Sequence, residues 1–173
     1  SLNHTDDLPT KLHPDSFKEL RKLRILRMLR PIEFGKRHRS MFMNNKNLEV
    51  IGLQFSGQSD FIPGGIFKGL NKLKILYVES AGYARLSKYF FYGLESLELF
   101  FSREAAFLQN VWPYHFSKNN NLKINFSQIS YRYGASREAE REALQKRFPG
   151  LYICREIESK SCRLEDLVPD VND

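Results

Sequence analysis

The chain has 173 residues, 42% of them hydrophobic and 27% charged, and a formal charge of +7 from 27 Lys and Arg against 20 Asp and Glu. That composition is globular and excludes a disordered polymer, and with no run of 18 apolar residues it excludes a transmembrane helix. A basic balance suits acidic partners such as nucleic acid, anionic lipid or sulfated polysaccharide, or serves solubility alone.

Residues 1–16 open polar, with Asn3, Thr5, Asp6 and Asp7, and continue through Leu8-Pro9 and Leu12-His13-Pro14. Proline breaks helix, so an extended lead-in is expected. Residues 17–30 place Phe17, Leu20, Leu23 and Leu26 three apart among basic residues. Alone, that spacing fits a basic amphipathic helix lying on a membrane. The same ruler returns twenty-five residues on as Phe42, Asn45, Leu48, Ile51 and Leu53. It returns again as Phe67, Leu70, Leu73, Leu76 and Val78. A fixed period of this size marks a solenoid, in which each unit buries its apolar face only against its neighbours. In the third copy, Lys74-Ile-Leu-Tyr-Val78 is β-branched and aromatic, which predicts strand there and equally at Arg24–Met28.

Between the first two copies, Gly35-Lys36-Arg37-His38-Arg39 is a basic run. It reads as a solvated loop or as a site for an anionic partner. Pro63-Gly64-Gly65 turns the chain into the third copy. Five residues before each ruler Phe stand Leu12, Arg37, Ile62, Leu86 and Val111, a further buried position that is apolar in four of five copies. The fourth copy reads Phe91, Leu94, Leu97, then Leu99 and Phe101. The fifth reads Phe116, Asn119, Leu122, then Ile124 and Phe126. Their final steps of two predict Leu97, Leu99 and Phe101 inward, with Glu98 and Phe100 outward; Lys123 and Asn125 face outward likewise. A one-residue deletion between the third and fourth copies accounts for the change. Ser136 to Phe148 is predicted as a helix, capped by Ser136 and ended by Pro149-Gly150. Leu151–Cys154 resumes a strand pattern, and the acidic tail from Glu165 is expected to be loosely held. The result is one domain, with repeats at 8–31, 32–57, 58–82, 83–106 and 107–130 and a capping unit at 131–173.

Nothing here points to catalysis. His4, His13, His38 and His115 follow no zinc spacing, and Pro63-Gly64-Gly65 lacks the Lys-Ser/Thr of a phosphate loop. The cysteines lack a C-x-x-C pattern, Ser136 and its acidic neighbours read as capping, and Trp112 reads as packing. No enzyme activity, metal or cofactor is expected. Cys154 and Cys162 are separated by seven residues, a span that a disulfide can close. With the sequons Asn3-His4-Thr5 and Asn125-Phe126-Ser127 they favour a secreted or extracellular placement and a glycoprotein. A cytosolic placement with reduced thiols stays open, and a start at Ser1 fits either a processed protein or a fragment.

The stretch Ile62-Pro63…Phe67-x-x-Leu70-x-x-Leu73-x-x-Leu76-x-Val78 resembles the leucine-rich repeat family. Its flavour is that of the extracellular subgroup found in Toll-type receptor ectodomains and small leucine-rich proteoglycans. The resemblance covers most of residues 8–157. It implies an α/β solenoid with a parallel sheet on its concave face, irregular and 3-10 segments outside, and a helix in the C-terminal unit. The family's Asn ladder is replaced here by Pro31, Ser56 and Ala81, and its cysteine-rich caps are reduced to one pair. The concave face is the implied binding surface. Its outward columns would be Ile25, Val50, Ile75 and Arg27, Gly52, Tyr77, flanked by Arg24, Glu49, Lys74 and extended by Glu98, Phe100, Lys123 and Asn125. An aliphatic column on an exposed face marks a partner site, unless terminal segments cover it or strand propensity alone selects it. The expected ligand is a protein or an acidic polysaccharide, and nucleic acid is not the expected partner. Two other readings remain: a cytosolic repeat scaffold or receptor fragment, and a basic membrane-surface or nucleic-acid binder acting through residues 17–39.

Overall fold

The computed structural model describes residues 10–56, 61–80, 85–87, 89–104 and 122–128, with 142, 143, 145, 146, 152 and 153. The step of three that recurs along the sequence is the step of a backbone hydrogen bond. Leu20 N–H donates to Phe17 C=O and Leu23 N–H to Leu20 C=O. The same pair of bonds runs from Asn45 and Leu48, from Leu70 and Leu73, and from Leu94 and Leu97. Each F-x-x-L-x-x-L run is therefore a chain of tight turns whose ruler residues fall on one side. After each run the chain extends into a strand. One carbonyl of the preceding unit starts each new strand pairing: Arg24 C=O receives the N–H groups of Glu49 and Val50, Glu49 C=O those of Lys74 and Ile75, and Lys74 C=O those of Glu98 and Leu99.

The strands are β1 (Thr10–Lys11), β2 (Ile25–Glu33), β3 (Val50–Phe55), β4 (Phe61–Ile62), β5 (Ile75–Ser80), β6 (Arg85–Leu86), β7 (Leu99–Glu104), β8 (Lys123–Gln128) and β9 (Tyr152–Ile153). Seven of them form one sheet in the order β1-β2-β3-β5-β7-β8-β9, while β4 and β6 pair separately. Every pairing is parallel. A parallel pair needs a crossover between its strands, and the turn runs and short strands supply it. The chain is thus a solenoid built on a parallel sheet. Residues 25–33 are strand and 36–40 a 3-10 helix, so no amphipathic α-helix spans residues 17–39. Leu29 and Arg30 bulge out of register between the pairs Met28–Leu53 and Pro31–Gln54. Pro31 has no N–H to give the ladder, which explains an irregularity at that point.

The core lies on one face of the sheet. A spine of phenylalanines runs through it across four turns. Phe17 and Phe42 stack at 5.5 Å, Phe42 and Phe67 at 6.0 Å, and Phe67 meets Phe90 edge-on at 5.2 Å. Leu20 carries the ruler but is 49% exposed, because no turn precedes its own among the described residues. Asn45 carries the ruler and is wholly buried; its Nδ2 donates to Phe17 C=O and Leu20 C=O, both at 2.8 Å. An amide in the leucine position thus ties the second turn to the first.

The basic run is a 3-10 helix, Lys36–Ser40, with Lys36, Arg37 and Arg39 exposed and His38 buried. Arg37 therefore does not fill the apolar position seen at Leu12 and Ile62. Gly35 N–H donates to His38 Nδ1 at 2.9 Å, so the ring proton sits on Nε2, 3.0 Å from Leu12 C=O. His38 holds the lead-in strand segment against the second unit.

The fourth unit departs from expectation. Phe100 pairs with Leu76 and is fully buried, while Leu99 pairs with Ile75 and Phe101 with Tyr77. The ruler thus keeps its final three-then-two step as Leu97, Phe100, Ser102, and the shortening of this unit lies before Phe91. In the fifth unit a step of two is seen, since Leu122 and Ile124 are both buried. Of the expected helix at 136–148, residues 142, 143, 145 and 146 are described and helical, and the others fall outside the described residues. Asn3, His4, Val111, Trp112, His115, Asn119, Cys154, Cys162 and the acidic tail lie wholly outside them.

Candidate functional site on the outer face of the sheet

Strand alternation sends every second residue of β2, β3, β5 and β7 away from the core. Parallel register stacks these into columns. The first is Ile25, Val50, Ile75, Leu99, with Lys123 next in register. These four hydrophobic residues form an apolar cluster separate from the core, with Val50 at 8%, Ile75 at 9% and Leu99 at 3% exposure. Ile25, Val50 and Ile75 stand in one column and Leu99 continues it, but the expected exposure is missing. It is a closed floor and not an open apolar patch.

The second column is Arg27, Gly52, Tyr77, Phe101, with Asn125 next in register. Arg27 is exposed, and Tyr77 and Phe101 are half-buried. Gly52 lies between the two: a Cβ there would be in ordinary contact with Arg27 Cγ and Tyr77 Cδ1, each at 3.6 Å. Tyr77 and Phe101 touch with ring centroids 5.1 Å apart. The Tyr77 hydroxyl donates to Glu79 Oε2 at 3.0 Å, which fixes the ring along its strand.

At the strand entrances runs the flank of Arg24, Glu49, Lys74 and Glu98. Arg24 grips Glu49 through two hydrogen bonds of 3.0 and 2.9 Å, and Lys74 meets Glu98 at 3.3 Å. The hydrogen bond from Arg24 holds the Glu49 carboxyl below its ordinary value, and the same bond raises the Arg24 guanidinium above its own. Two cations and two anions satisfy one another here, so the flank offers little unspent charge. Arg27 differs, since it makes no ion pair among the described residues.

The structure thus brings together Arg24, Ile25, Arg27, Glu49, Val50, Lys74, Ile75, Tyr77 and Glu98 on this face and at its edge, and the backbone register puts Lys123 and Asn125 next in the two columns. It sends Phe100 into the core. Sequence reasoning missed Leu99 and Phe101 on this face; the signal for them is the 24-residue spacing from Ile75 and Tyr77. Among the described residues, no group of three His, Cys, Asp or Glu is placed to hold a metal ion, and no helix is long and apolar enough to cross a membrane. Comparison with models of known protein families finds none that matches the chain, and no curated protein matches it.

Proposed function

We propose that this chain is a non-enzymatic binding module of leucine-rich repeat type, which recognises a protein or polyanionic ligand through the outer, concave face of its sheet. One observation carries the reading: Arg27, Tyr77 and Phe101 form a single column across β2, β5 and β7, spaced by Gly52. Arg and Tyr dominate interface hot spots, and Phe is enriched with them. An ordered aromatic pair, one strand away from a guanidinium that makes no ion pair among the described residues, loses little side-chain freedom when a partner docks. The apolar cluster of Val50, Ile75 and Leu99 forms the neighbouring column of the same face.

Affinity capture followed by mass spectrometry tests the reading, using the native chain beside Tyr77→Ala and Arg27→Glu. Both substitutions should deplete the true partner, by about 30-fold for a hot spot worth about 2 kcal/mol. A partner retained equally by all three chains would move the site off this face. Arg24 is a poorer probe, because reversing it breaks the internal pair with Glu49.

The same reading includes an extracellular placement, a Cys154–Cys162 bridge and glycans at Asn3 and Asn125; the competing one is a cytosolic scaffold or receptor fragment. Intact-mass measurement of the native protein before and after reduction decides between them. A gain of two protons on reduction supports the first, and two free thiols with no glycan mass support the second. Such a bridge would contribute on the order of 2–3 kcal/mol, because a short loop constrains the unfolded chain least.

A further inference from the structure

A second concavity lies away from the sheet. It is a groove of about 780 Å3 lined by the turn segments of three successive units, and no residue of a described strand lines it. Three cations border it, Arg39, Lys46 and Lys68, and no carboxylate is among the described residues that line it. None of the three makes an ion pair among the described residues. Two aromatic rings border it as well, and both stand into solvent, Tyr89 at 54% and Tyr92 at 59% exposure.

The repeat itself builds this combination. The backbone bonds Met43 N–H to Ser40 C=O, Lys68 N–H to Gly65 C=O and Tyr92 N–H to Tyr89 C=O are the same bond in three consecutive turns. They set Met43, Lys68 and Tyr92 in one row and Ser40, Gly65 and Tyr89 in the next. Gly64, Gly65 and Gly69 keep the middle of the groove free of side chains. Gly64 has no alternative, since a Cβ there would collide with Ser87 Oγ and lie 2.8 Å from Tyr89 Cβ. Gly65 has a φ of 76° and Gly69 one of 87°, in the left-handed region that glycine alone enters freely.

Cations unaccompanied by anions select a polyanion. They also argue against a protein ligand here, because charge is depleted at the centre of protein interfaces. Exposed rings beside the cations add a demand that sulfate groups do not meet: the ligand should carry flat faces to stack on. A positively charged groove with aromatic platforms is the arrangement that holds single strands, through phosphate contacts and base stacking together. We infer that the turn-side groove bordered by Arg39, Lys46, Lys68, Tyr89 and Tyr92 binds single-stranded nucleic acid, independently of any ligand on the sheet.

Fluorescence anisotropy with a labelled oligo-deoxythymidine of about twelve nucleotides, within the site size usual for such grooves, tests this on the full chain. Tyr89→Ala and Tyr92→Ala should each weaken binding by about fivefold or more, while Tyr→Phe at either position retains it. Replacing Arg39, Lys46 and Lys68 together by alanine should reduce the slope of log affinity against log salt by about 2, at about 0.7 for each phosphate no longer neutralised. Lys11→Ala, an exposed cation outside the groove, should leave the slope unchanged. All the groove side chains to be replaced are exposed, and an unchanged melting temperature confirms that the variants fold. No binding at low salt overturns the proposal. So does a sulfated oligosaccharide that displaces the oligonucleotide and binds both alanine variants as tightly as the native chain, which would make this a polysaccharide site.

Discussion

Replacing Phe67 by alanine is expected to lower the free energy of unfolding by about 3–5 kcal/mol, the range for deleting a fully buried aromatic ring. The ring has no exposure, stacks on Phe42 within 6° of parallel and receives Phe90 edge-on. Its loss opens a cavity facing two units at once, and turns held by backbone hydrogen bonds cannot slide together to fill it. In a repeat stack, stability is close to a sum of unit and interface contributions. The variant should therefore lose cooperativity as well as stability, with a shallower urea transition by circular dichroism. The comparison is Leu20→Ala, the same turn motif at the exposed end of the stack, where the cost should be far smaller. Equal costs at the two sites would mean that the phenylalanine spine does not join the units.

Asn45→Asp is the second large effect. The substitution keeps shape and volume and changes only what the side chain can donate. Asn45 Nδ2 points at two carbonyl oxygens, each 2.8 Å away. A carboxylate there would set negative oxygen against both, out of reach of water. Stranding a buried charge costs on the order of 3–5 kcal/mol. Asn45→Leu, which restores the residue type found at Leu70 and Leu94, should cost much less. Phe17 C=O and Leu20 C=O each keep a turn hydrogen bond from Leu20 and Leu23, so neither is orphaned. Chemical denaturation of both variants at neutral pH and near pH 4 separates the causes. The Asp variant should recover part of its stability in acid, where the introduced carboxyl binds a proton and donates again; no recovery, or a leucine variant equally damaged, would show that shape and not donation matters at this position.

Much of the fold was legible because one physical object, the hydrogen-bonded turn, has a step of three that apolar residues must follow. Strand character followed from Ile75, Tyr77 and Val78. Phe100 was misread because Leu97, Leu99, Phe100 and Phe101 offer too many apolar residues: a step of two and a step of three both find a partner. Only pairing to Leu76 on the adjacent strand separates them, and a single strand's sequence does not contain that information. The same ambiguity hid Phe101, so the candidate face was legible at Arg27 and Tyr77 and incomplete beyond. His38 was hidden differently. It lies in a run of cations, and its burial is set by a carbonyl twenty-six residues earlier. The turn-side groove was invisible because its residues are the ones between the ruler positions, which periodicity leaves undetermined.

The bulge at Leu29 and Arg30 has a consequence for how copies of this chain meet. Among the described residues, β2 is paired on its β1 side only at Ile32 and Glu33. The rest of that border would be a template for another strand, and unprotected borders of this kind seed fibres. Natural sheets blunt them with charge, proline and irregular backbone. Here Arg27 and Arg30 are exposed, and Pro31 follows the two residues that fall out of register. A second chain arriving in register would meet the exposed Arg27, a missing donor at Pro31 and a backbone out of register within a few residues. At this border the sheet is built to extend by covalent repetition along its own chain and is ill suited to adding a strand from another.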